Sequence, residues 1–107
     1  MAVNQQTLLK LQSLEHLYRN GYQSSTVDAA IDKLVGMEQA RLEQELVRLE
    51  GRLHQLEAQH HLASAEFYRL FRAGEMGDDA DFFEWSAFYQ MWASTQQQLE
   101  VLKLPAA

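Results

Sequence analysis

"RLEQELVRLEGRLHQLEAQH", residues 41–60, carries leucine at positions 42, 46, 49, 53 and 56. The steps alternate four and three, which lines one face of a helix and, when sustained, makes a coiled-coil seam. The rhythm runs on through His60, Ala63 and Phe67 to Leu70. Upstream, Val27, Ile31 and Leu34 step likewise. Joining the two runs through Glu38 takes two successive fours, a stutter that relaxes the supercoil. Arg41, Glu43, Glu45, Arg48, Glu50, Arg52 and Glu57 flank the seam with mixed signs, the pattern of a solvated helix face. Gly51 costs about 1 kcal/mol relative to Ala in a helix and is expected at a tolerated, exposed position.

The spacing predicts an all-α chain built on a long helix over residues 25–73, with a break favoured near 60–64. There "HHLASAEFY" offers Ser64 as a cap and Glu66 early in a first turn. An unbroken helix over 26–60 rises about 50 Å at 1.5 Å per residue, longer than a compact domain of this mass. Its apolar stripe then needs cover from a second copy. Leu42, Leu46, Leu49, Leu53 and Leu56 are accordingly assigned to the seam of a homodimer formed through the long helix.

Before this helix, Leu8, Leu11, Leu14, Leu17 and Tyr18 predict a short amphipathic helix over residues 5–19. Gly21 ends it, and Ser25 with Asp28 resembles a capping box for the next helix. After it, "GEMGDDADFFEW", residues 74–85, sets two glycines and three aspartates before a run of aromatics. It reads as a turn at 74–78 followed by a helix over 79–103, capped by Asp78 or Asp79 and closed by Pro105. The stripe of that helix is Phe82, Trp85, Tyr89 and Trp92, widened by Phe83, Phe88 and Met91. The chain is thus expected to be a single helical domain. Its segments are a short helix within 1–24, the long helix, the turn, and an aromatic helix that completes an elongated hairpin.

The 107 residues contain no cysteine, so a disulfide framework and a thiolate metal site are both impossible. The opening "MAVNQQTLLK" has no secretory pattern, and no apolar run is long enough to span a bilayer. The expectation is a cytoplasmic protein with no membrane contact. The net charge is −6. Residues 73–107 hold most of it, with six acids against Lys103 alone. That favours a basic protein partner and disfavours direct nucleic-acid binding, which needs clustered Lys and Arg.

Asp78, Asp79 and Asp81 lack the alternation, central glycine and final glutamate of a calcium loop, and they suit a helix start better. His60 and His61 are neighbours that point about 100° apart on a helix and do not share a metal easily. No nucleophile elbow and no phosphate loop are present. Catalytic residues, metal ligands and cofactors are therefore all expected to be none.

"EFYRLFRAGEMGDDADFFEW", followed by "SAFYQMW", resembles a group of small helical prokaryotic proteins with a coiled-coil body, some of them antitoxin-like. The matching positions include Glu66, Phe67, Tyr68, Phe71, Gly74, Glu75, Gly77, Asp78, Asp81, Phe83, Glu84, Trp85 and Tyr89. Where that family often has Ser-Ser-Glu-Glu before Phe-Tyr, this chain has Ala63, Ser64, Ala65 and Glu66. The resemblance implies a non-enzymatic module that neutralises a basic toxin, such as a ribonuclease, encoded beside it. Acidic Glu75, Asp78, Asp79, Asp81 and Glu84 are expected to steer the partner, and Phe82, Trp85, Tyr89 and Trp92 to anchor it. The alternative is a coiled-coil structural or adaptor protein with no toxin partner.

Overall fold

The computed structural model describes residues 4–103. They form four helices: α1 (Gln5–Arg19), α2 (Ser25–His60), α3 (Ser64–Arg72) and α4 (Ala80–Lys103). No strand occurs among the described residues, and Pro105, expected to close the last helix, lies outside them. The chain divides into two compact units, up to residue 33 and from residue 34 onward.

In the first unit Asn4 caps α1, its side-chain oxygen accepting from the Thr7 N–H at 3.1 Å. Gly21, with φ 92°, closes the helix. Its N–H donates to the Tyr18 carbonyl and the Tyr22 N–H to the Leu17 carbonyl, the paired bonds of a Schellman motif. Ser24, not Ser25, caps α2, since the Ser24 Oγ accepts from the Val27 N–H. Asp28 is therefore free for another role. Its carboxylate sits 2.6 Å from the Tyr18 hydroxyl, pinning the end of α1 to the start of α2. That hydrogen bond favours the protonated phenol and raises the Tyr18 pKa. No residue between 4 and 33 is buried.

The second unit has a true core. Leu53, Leu56, Phe67 and Trp85 are buried together, with Leu62, Phe71, Phe82 and Phe88 packed around them. Gln39 reaches the Leu102 carbonyl while Gln59 reaches Asp81, so α4 runs antiparallel to this part of α2. Glu50 accepts from the Trp92 indole, and Arg52 pairs with Glu84 between these ends. Each of these bonds ties the two helices at a different height, which fixes their register.

Antiparallel packing answers the seam question. Leu42, Leu49, Leu53 and Leu56 are each 5% exposed or less within the single chain, and Leu46 is half-buried. The premise that only a second copy can cover this stripe is corrected: the chain's own aromatic helix lies along it. The stutter is placed differently as well. Leu34 is 57% exposed and Glu38 is exposed, while Val35 and Gln39 are the half-buried positions. The α-helix has 3.6 residues per turn, so a run of fours drifts slowly and keeps 35 and 39 on the stripe that continues at 42.

The long helix ends at His60, and α3 begins at Ser64. His61 takes φ 54°, a left-handed conformation that disfavours side chains with a Cβ. The Leu62 N–H then donates to the Glu57 carbonyl, the same six-to-one bond that Gly21 permits at the end of α1. At the start of α3 the cap position falls on Ala63, which has no acceptor. Ser64 is not the cap. The Glu57 carboxylate comes from the previous helix and accepts from the Ser64 N–H at 2.8 Å.

Candidate functional site

Trp85 is fully buried and therefore cannot anchor a partner, contrary to the expectation from its place in the aromatic stripe. Its ring stacks on Phe67 at 3.9 Å with the planes 5° apart, and His60 lies on it at 5.4 Å. Its indole N–H donates to the Ser64 Oγ at 2.9 Å. That bond explains why a serine is buried at the first turn of α3: a buried indole left without an acceptor costs about 1–3 kcal/mol. Phe82 leans on the same cluster, 5.7 Å from Phe67 and 5.3 Å from His60, and is half-buried.

Tyr89 and Trp92 are half-buried and stack at 5.7 Å, with Tyr68 5.0 Å from Tyr89. The open sides of Tyr89 and Trp92 line a shallow groove with Glu50, His54 and Glu57.

Two of the five expected steering acids, Glu84 and Asp81, are occupied within the chain. Glu84 pairs with Arg52, and Asp81 accepts from Gln59 at 3.1 Å and lies 3.5 Å from the His60 Nε2. Both face α2. The other three, Glu75, Asp78 and Asp79, are exposed in the turn.

The turn itself is built by helix-end chemistry. Gly74, with φ 76°, lets its own N–H reach the Phe71 carbonyl and the Glu75 N–H reach the Leu70 carbonyl at 2.9 Å. Asp79 caps α4, its Oδ1 accepting from the Asp81 N–H at 2.9 Å. Between these two points the backbone carries Met76 to a groove it shares with Phe71, Asp78 and Phe83. Phe83 stands edge-on to Phe71, with ring centres 5.5 Å apart, and remains 58% exposed. Among the described residues no ion pair engages Glu75, Asp78 or Asp79.

The structure thus brings the exposed Phe83 ring, Phe71, Met76 and Asp78 together around one groove, with Glu75 and Asp79 exposed in the same turn. Phe71, Met76 and Phe83 belong to this edge although the partner-binding expectation omitted them. Phe83 follows Phe82 by about 100° around the helix, which places it off the buried stripe. That offset was the available signal.

No group of three or more His, Asp or Glu side chains is arranged to hold a metal ion among the described residues. No helix there is long and apolar enough to cross a membrane. Comparison with protein-family models, with curated proteins and with solved structures returns no match, so the site's geometry and chemistry carry the functional reading.

Proposed function

We propose that this chain is a non-catalytic, antitoxin-like binding module that receives a basic partner protein at the α3–α4 turn. The observation supporting this reading is the exposed Phe83 in a groove with Phe71, Met76 and Asp78, with Glu75 and Asp79 exposed in the same turn. Unpaired acids at a rim raise the encounter rate with a basic surface, and an aromatic ring entering a pocket slows its departure. A toxin that cleaves RNA carries a basic groove for phosphates, which such an edge can occlude. Asp81, Glu84 and Trp85 serve here as internal braces of the edge. Tyr89 and Trp92 lie on another side of α4, in the groove with Glu50, His54 and Glu57.

The test is co-expression with the product of the neighbouring gene, followed by measured association rates at two salt concentrations. Glu75→Gln with Asp78→Asn is expected to slow association roughly tenfold at low salt and to flatten its salt dependence. Phe83→Ala is expected to speed dissociation with the fold intact. Wild-type rates in both variants would sink the docking edge. A neighbour that neither binds nor is neutralised would leave the adaptor reading.

A further inference from the structure

We propose that residues 4–33 are the homodimerisation surface of this chain, with a second copy's α1 filling the open groove between α1 and the first turns of α2. This inference stands apart from the basic-partner reading, because it concerns the other unit. The groove is walled by Leu11, Leu14, Tyr18, Val27 and Ile31. Leu14, Val27 and Ile31 are only half-buried there, and Leu11 is 52% exposed. The far side of α1 is also apolar, with Leu9 at 59% and Leu17 at 44% exposure. A fifteen-residue helix with no buried side chain is marginal in water, since packing supplies most helix stability in proteins. Apolar surface on both sides of α1 asks for more than one neighbour, which a bundle of two such hairpins provides.

Charge selects the occupant. Up to residue 33, Lys10, Arg19 and Lys33 balance Glu15, Asp28 and Asp32, and the whole net charge of −6 lies beyond that point. Two copies meeting through this unit therefore do not repel, whereas a basic protein is drawn to the remainder of the chain. The groove's own acids are Glu15, Asp28 and Asp32. An incoming α1 carries Lys10 one turn before Leu14 on the same side, so the inserted face brings a cation to those carboxylates. Size agrees. A stable interface takes about 20–30 residues a side, and none of the thirty described residues up to Lys33 is buried.

Light scattering on the full chain at micromolar concentration should give twice the 12.4 kDa chain mass. Leu11→Asp with Leu14→Asp should return the mass of one chain. Because those changes also weaken α1, a second measurement uses the absence of native cysteine. A short bismaleimide should link Leu11→Cys chains, on the groove wall, in pairs and leave Val47→Cys chains, 71% exposed in the other unit, as monomers. A wild-type mass of one chain at every concentration overturns the proposal and hands the groove to another occupant. So does a dimer that survives the double aspartate change, or equal linking at both positions.

Discussion

The two units use the same kind of amphipathic helix and reach opposite ends of the burial scale. From residue 34 onward, Leu49, Leu56, Phe67 and Trp85 are completely shielded. Up to residue 33, six large apolar side chains, Leu8, Leu9, Leu11, Leu17, Tyr18 and Tyr22, are at least 36% exposed. The difference lies in the partner each stripe finds within the chain. The leucines of α2 meet an aromatic helix, and rings of 150–250 Å² each cover a wide strip. The leucines of α1 meet only the first turns of α2, which supply Val27 and Ile31. A regular heptad says that a stripe will be buried; it does not say by what.

The largest effect expected from this contrast is at Trp85. Trp85→Ala should cost about 3–5 kcal/mol in chemical denaturation, the range for emptying a filled aromatic site. Phe83→Ala, one face away and exposed, should stay within about 0.5 kcal/mol. Equal losses would show that the two faces of α4 are not distinguished as described. Next comes Ser64→Ala, which strands the Trp85 indole N–H and should cost about 1–3 kcal/mol. In a Trp85→Phe background, which has no indole N–H, the same serine change should cost much less, and an equal cost in both backgrounds would detach the serine from the indole.

Helix ends supply a smaller and two-signed test. Gly74→Ala forces a Cβ into a left-handed conformation and should destabilise by about 1–2 kcal/mol. His61→Gly, at φ 54°, should instead raise the melting temperature, because it relieves the same penalty at the end of α2. A lower melting temperature would mean that the His61 side chain contributes more than its backbone strain costs. Gly51→Ala comes next, since a Cβ there meets nothing within 4 Å. A gain of roughly 0.5–1 kcal/mol is expected from helix propensity alone.

The smallest effect belongs to the first unit. Asp28 raises the Tyr18 pKa, so the contribution of this bond is complete below the ordinary value of 10.0 and is lost as pH climbs through the raised one. Helicity of the wild type should therefore fall slightly above pH 10, and Tyr18→Phe should remove that step. An identical alkaline step in both proteins would assign it elsewhere.

Local chemistry made much of this protein legible from its sequence. The leucine spacing, Gly21, Gly74 and the Asp78–Asp79 pair are short-range signals, and each marks a helix face or a helix end by the geometry of one or two turns. His61 closes α2 without such a signal, because the left-handed position normally belongs to glycine. Only the tertiary structure could show that Glu57 caps α3 from another helix, that Ser64 serves Trp85, and that Asp81 and Glu84 face α2. It also decided which covering the seam receives. Periodicity reports that a face is apolar, and every helix of that pattern looks alike along the chain. Whether the cover is a second copy or the chain's own α4 depends on the reversal at Gly74 and on the register set by Gln39, Glu50 and Arg52, which are contacts between residues far apart in sequence.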